Sequence, residues 1–155
     1  VALAAPAAPP LTSLKTMPPD SRRAHVLVKV PFHDLDPVGI VWHGHYSKYF
    51  ELARCELLQS FNYNYDDMMR SGYAWPIIDL HLRYVKAARF NETLKVEARL
   101  REWEHRLKID YVATDVATGA RVCKGSSVQV AVNMATREMC LRSPDVLFRR
   151  LGLAA

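Results

Sequence analysis

Cysteine is scarce in this chain, and the few residues present form no pattern. Cys55, Cys123 and Cys140 are an odd number, and no pair of them has metal-ligand spacing. A disulfide-stapled scaffold and a cysteine zinc site are therefore not indicated, and the three read as free thiols in a reducing, cytoplasmic compartment. Long apolar runs are missing as well. None approaches the roughly 18 to 20 residues that a membrane-spanning helix needs. The formal charge is +5, which suits an anionic partner, but the basic residues are scattered and form no long block. A nucleic-acid-binding arm is not indicated. No glycine-rich phosphate loop follows a strand pattern, and no G-x-S-x-G nucleophile elbow occurs. Ser126 and Ser127 lie inside an alternating strand pattern, which gives a serine-triad enzyme little support.

What remains is an ordinary globular composition over 155 residues, half of them hydrophobic and 24% charged. That length favours one domain with a real core. Residues 1–23 are rich in Ala and Pro and read as a disordered or processed tail, with the folded domain spanning 24–155. His25 to Phe32 alternates, with Val26, Val28, Val30 and Phe32 on one face, and predicts a half-buried strand. A helix is expected from His45 to Ser60, because Tyr46, Tyr49, Phe50, Ala53, Leu57 and Leu58 recur at three- and four-residue spacing. A shorter helix should cover Tyr65 to Arg70 and stop at Gly72. Strands are then expected over Trp75–Arg89, irregular at its start, and over Thr93–Trp103, Arg106–Val116 and Arg121–Met134. Ser143-Pro144-Asp145 reads as a cap, a Pro at the first helical position and an acid, opening a last helix over Pro144–Leu151. The order is strand, long helix, short helix, then consecutive strands. That is an α+β pattern, with one antiparallel sheet wrapped around a central helix.

Polar chemistry concentrates between the first strand and the first helix, in His33-Asp34-Leu35-Asp36-Pro37-Val38-Gly39-Ile40-Val41-Trp42-His43-Gly44-His45-Tyr46. Amides at a helix N-terminus lack intrahelical partners and carry partial positive charge, so they can hold an oxyanion. A carboxylate beside them could attack a carbonyl or activate water. Each residue also has a plainer reading. Asp before Pro commonly bonds its own turn, and Asp36 taken alone reads first as a turn residue. His43 and His45, two apart in a loop, do not have zinc spacing, and no metal is expected. Tyr46, Tyr49 and Phe50 read first as core. Cys55, in the helix interior, reads as an inert thiol.

The run Asp34-Leu35-Asp36-Pro37-Val38-Gly39-Ile40-Val41-Trp42-His43-Gly44-His45-Tyr46, continuing to Phe50-Glu51-Leu52-Ala53-Arg54, resembles the 4-hydroxybenzoyl-CoA thioesterase and YbgC-like acyl-CoA thioesterase group. The resemblance implies a hotdog fold assembled as a homodimer or homotetramer. It implies hydrolysis of acyl-CoA or acyl-carrier-protein thioesters with no metal or organic cofactor, CoA or phosphopantetheine entering only as part of the substrate. Carried over position by position, Asp36 is the catalytic carboxylate, His43 assists in placing water or substrate, Tyr46 packs or orients the loop, and Asp34 is structural.

Candidate substrate-binding residues are Tyr46, Tyr49, Phe50, Trp75 and Ile77 for the acyl group, with Arg83, Lys86 and Arg89 for CoA phosphates. Core packing and solvated strand ends explain the same residues. Two other functions fit the same fold: a hotdog dehydratase or isomerase acting on carrier-bound acyl chains, and a non-catalytic acyl-thioester-binding protein.

Overall fold

The computed structural model describes residues 22–153. The tail expected over 1–23 therefore lies almost wholly outside the described residues.

Five strands make the main sheet: β1 (Arg23–Lys29), β3 (Ile77–Tyr84), β4 (Thr93–Glu102), β5 (Leu107–Asp115) and β6 (Arg121–Gln129), in the spatial order β1-β4-β5-β6-β3, with every neighbouring pair antiparallel. Two short strands, β2 (Tyr73–Ala74) and β7 (Val132–Asn133), pair separately. Side chains alternate across a strand, and the register turns this into a core. Leu94, Val96, Ala98 and Leu100 of β4 are completely buried beside Leu107, Ile109, Tyr111 and Ala113 of β5. Ala24, Val26 and Val28 of β1 join them from the edge.

Helix α1 (Tyr46–Ser60) packs chiefly on β1 and β4. Its buried stripe is the one the spacing predicts, with Arg54 added. Fully burying each large apolar side chain in such a stripe stabilises by about 1.5–3 kcal/mol. The Phe50 ring lies flat on the Tyr111 ring, with centroids 4.7 Å apart. Opposite Tyr111 stands Gly125, where an added Cβ would meet the His81 carbonyl oxygen and come within 2.9 Å of Phe50 Cε2. The missing side chain is what admits Phe50 to the sheet. Helix α2 (Tyr65–Arg70) starts at Asn64, whose side chain accepts the Tyr65 amide at 2.9 Å while its own amide donates to Asp67 at 3.2 Å.

The structure corrects four boundaries. β1 stops at Lys29 rather than Phe32, because Pro31 has no amide to continue a ladder; Phe32 turns out to solvent, 74% exposed. The strand expected over Trp75–Arg89 begins only at Ile77, after Pro76, as β3, has a register shift between Ile77 and Asp79, and ends at Tyr84, while the short β2 lies before it. Beyond it the amides of Val85 and Lys86 both donate to the Val122 carbonyl, which turns the chain away. The strand expected over Arg121–Met134 likewise splits into β6 and β7. Helix α3 (Asp145–Arg150) has Pro144 in the cap position, so Ser143 does not cap it.

Candidate active site

Residues 34–42 leave β1 and double back on themselves. Leu35 bridges Val41, the Asp36 amide donates to the Ile40 carbonyl at 2.8 Å, and the Gly39 amide donates to the Asp36 carbonyl at 2.9 Å. Gly39 has φ +85°, a conformation that costs other residues strain. Asp36 Oδ1 accepts the Val38 amide at 2.9 Å and, more loosely, the Ile40 amide at 3.4 Å. This is the turn role that Asp-Pro suggests. It occupies one carboxylate oxygen only. Among the described residues, Oδ2 accepts no hydrogen bond.

The loop opens onto a cleft of about 260 Å³. Asp36, His43, Tyr46, Tyr84 and Lys86 all line it, so one strand end, one loop, one helix start and one irregular segment converge there. The Tyr84 hydroxyl donates to the His43 carbonyl at 2.9 Å. The Tyr46 ring meets the Tyr84 ring edge-on at 5.7 Å between centroids. Burial pushes the Tyr46 phenol up to about 12, and burial also raises Tyr84. Both therefore stay protonated at neutral pH and can donate hydrogen bonds but not take protons. The first turn of α1 begins beside His43, after a 3₁₀ turn over His43–His45, and no side chain caps it. First-turn amides are the natural donors to a developing negative charge.

Asp34, two residues before Asp36, has the opposite environment. It is 1% exposed. Lys48 Nζ donates to Oδ1 at 2.6 Å, and the Tyr49 hydroxyl donates to Oδ2 at 2.6 Å. His33 and His45 bring imidazole nitrogens to 3.7 and 3.8 Å. Burial alone would raise this carboxyl. The hydrogen bonds from Lys48 and Tyr49 and the charges of Lys48 and His45 outweigh it and hold the group below the ordinary carboxylate range. The same contacts, with burial foremost, push the Tyr49 phenol far up.

The other singled-out residues are spread more widely. Lys86 stands on the cleft wall. Tyr49 points to Asp34, and Phe50 is sealed under Tyr111. Trp75 donates to the Tyr63 hydroxyl at 3.2 Å and lines a separate apolar groove of about 390 Å³ with Met68 and Tyr73. Ile77 starts β3 at the sheet edge, and Arg83 pairs across to Lys124. Arg89 bridges Ile40 through its backbone, outside the cleft lining. A larger hollow of about 700 Å³ near α2 is lined by Gln59, Asn64, Asp67 and Arg70, but these side chains are already bonded to one another. Among the described residues no group of His, Cys, Asp and Glu is placed to hold a metal ion.

Sequence reasoning missed Tyr84, Lys48 and Arg54. Arg54, 4% exposed, donates to the hydroxyls of Tyr65 at 2.7 Å and Tyr111 at 3.3 Å. Tyr111 in turn shares a 2.6 Å hydrogen bond with Ser127. An Arg on the buried stripe was the available signal, since buried Arg needs partners.

Residues 30–149, which hold the loop and the main sheet apart from β1, match the thioesterase-like superfamily. The chain belongs to that superfamily. Among relatives of the thioesterase-like chain, sll0410 of Synechocystis sp., named as a candidate esterase, is 31% identical over 81% of this chain and 76% of its own length. The acyl-CoA thioesterase YbgC of Haemophilus influenzae is 32% identical over 48% of this chain and 56% of its own. Apart from sll0410, the curated relatives are matched over little more than half their length. A 4-hydroxybenzoyl-CoA thioesterase variant solved with 4-hydroxybenzoyl-CoA superposes with a TM-score of 0.73 at 16% identity, covering 84% of this chain and 99% of that one. At that identity the likeness establishes the fold, and the fold of this thioesterase-like chain is the hotdog.

Proposed function

We propose that this chain hydrolyses acyl thioesters, of CoA or of a carrier protein, with Asp36 as the catalytic carboxylate. The carrying observation is the position of Asp36. It sits in a cleft at the start of α1, with one oxygen spent on its own turn and the other uncommitted, in a family of thioesterases.

The thioester carbonyl lies between Asp36 and the first-turn amides. Asp36 attacks that carbon directly, or draws a proton from a water that does. The C–S bond breaks, the thiolate leaves and takes a proton, and water supplies the hydroxyl of the acid. His43 helps to place the water or the carbonyl, and Tyr46 shapes the cleft wall. Lys86, with Arg89 on the same exposed segment, meets the phosphates of CoA or phosphopantetheine. The reaction needs no metal or organic cofactor.

The active assembly is a homodimer joined through β3. This edge strand leaves Ile78 59%, Leu80 42% and Tyr84 50% exposed, beside unpaired backbone groups, and an apolar edge of this kind favours pairing with a second copy. The free thiols Cys55, Cys123 and Cys140 support a reducing, cytoplasmic setting, and no helix of the described residues is long and apolar enough to cross a membrane.

The test is thiol release across short, long and aromatic acyl-CoAs and acyl-carrier proteins, for wild type and Asp36→Asn. General-base or nucleophilic catalysis contributes about 10²–10⁴-fold, so the variant should lose that much turnover while keeping its fold and assembly. Tight binding of the esters without thiol release would overturn the reading in favour of a binding protein. Single turnover in ¹⁸O-water tests the nucleophilic route: label on Asp36 arises only from an anhydride opened by water at the Asp36 carbonyl, because the general-base route places it in the released acid alone.

A further inference from the structure

We propose that Asp34 is a positioning residue: it pins the loop that carries Asp36 to the first turn of α1 through Lys48 and Tyr49. The inference rests on the hydrolase reading above.

Asp34 stands at the throat of the loop. Its carbonyl accepts the Trp42 amide at 2.9 Å, which closes the far end of the loop, and the next pair inward is the Leu35–Val41 bridge. Its side chain reaches the other way and takes both of its close hydrogen bonds from consecutive residues of α1, Lys48 and Tyr49, at 2.6 Å each. A single buried residue therefore fixes both the closure of the loop and its distance from the helix whose first residue, Tyr46, lines the cleft. Gly44 completes the seat. A Cβ there would run into the Trp42 indole, so Trp42 folds directly over the glycine. Without the pin, the turn around Asp36 keeps its internal bonds but loses its height above α1.

The groups facing Asp34 are His33 from the same loop and His45, Lys48 and Tyr49 from the helix start. In wild type the Asp34 carboxylate and the Lys48 ammonium offset each other at 2.6 Å.

The experiment compares Lys48→Met, Lys48→Arg, Tyr49→Phe and Asp34→Asn by hydrogen exchange of the 35–42 amides and by kcat and KM. Exchange at Trp42, whose amide closes the loop on the Asp34 carbonyl, should rise in Lys48→Met, Tyr49→Phe and Asp34→Asn. Their kcat should fall about tenfold with KM within about twofold, because misplacing a catalytic group by about 1 Å can cost up to about 10²-fold. Lys48→Arg should recover most of the loss. A fall in kcat with KM held, recovered by Lys48→Arg, is a split that a merely structural role would not produce.

Unchanged loop exchange would overturn the proposal, as would faster exchange with wild-type kcat. Wild-type kinetics in Lys48→Met alongside a dead Asp36→Asn would sink this inference and leave the hydrolase reading standing. A wild type inert toward every thioester would sink the hydrolase reading, and the kinetic half of this inference with it.

Discussion

Gly125→Ala should cost this protein far more than one methyl group ordinarily does. The added Cβ would meet the His81 carbonyl oxygen on β3, which is backbone and cannot rotate away, and would press within 2.9 Å of Phe50 Cε2. Phe50 is fully buried and stacked on Tyr111, so it cannot retreat without leaving that ring. Overpacking of this kind costs about 1–3 kcal/mol, and disturbing an aromatic pair adds about 0.5–1.5 kcal/mol. Against this, Ala in a strand recovers about 0.5–1 kcal/mol of the conformational cost of Gly. The net is about 2 kcal/mol. For a chain of this length, each kcal/mol moves Tm by about 2–4 °C, so calorimetry should show a loss of about 4–8 °C. The displaced strand is β3, which ends at the cleft residue Tyr84, so thiol release should fall as well. Phe50→Leu in the Gly125→Ala background should return part of the Tm, because it frees the space beside the new methyl. A Gly125→Ala protein as stable as wild type would refute the packing argument.

Three further outcomes follow from the same geometry. Arg54→Met removes the donor to Tyr65 and Tyr111, leaving Tyr111 with Ser127 alone, and should destabilise by about 1–2 kcal/mol in urea unfolding, more than the exposed Glu51→Gln beside it. Ile78→Glu should turn the β3 edge into one that repels its copy, and sedimentation should show a shift toward monomer with loss of thiol release; an unchanged assembly would exclude this edge as the interface. Acid unfolding should carry a contribution from Asp34. Its folded carboxyl is held below the ordinary range, so its stabilisation is complete above the unfolded value and is lost as pH falls through the lower folded one. The fall of Tm with decreasing pH below about 4 should therefore be shallower in Asp34→Asn than in wild type.

The sequence made the local periodicities legible and left the long-range pairings hidden. The α1 stripe from Tyr46 to Leu58 and the β4 alternation from Leu94 to Leu100 were readable because burial repeats along one element at a fixed period. The boundaries that shifted did so for tertiary reasons. Pro76 interrupts a run whose β-branched and aromatic residues otherwise read as continuous strand, and β6 ends near the level where its partner breaks. In the site, Asp36 and His43 stood out because they are close in sequence and rich in polar chemistry. Tyr84 did not, because nothing in Ile77–Tyr84 distinguishes a cleft tyrosine from an edge-strand one. Lys48 falls off the apolar stripe, on the side that periodicity gives to solvent, and its side chain is indeed half-exposed, but its ammonium turns back to Asp34. Periodicity assigns a side chain to a face, and the reach of a long flexible one escapes it.

Asp34 and Asp36 show why residue type alone could not separate a structural carboxylate from a candidate catalytic one. Both are aspartates of the same turn, two positions apart. Asp34 has both oxygens spoken for by α1, is closed to solvent, and stays ionised because Lys48 and Tyr49 hold its charge. A carboxylate so fully committed is a poor nucleophile and a poor base, since either role would require it to give up bonds that maintain the loop. Asp36 bonds only amides of its own turn, through one oxygen, and lines the open cleft. Its turn bonds fix the carboxylate without consuming it. The environments thus divide the labour: the pair that a turn motif needs for stability is also the pair that puts an available carboxylate at a fixed height beside a helix N-terminus. A chain that kept Asp36 and lost the Asp34–Lys48–Tyr49 contacts should therefore keep its turn and lose its rate.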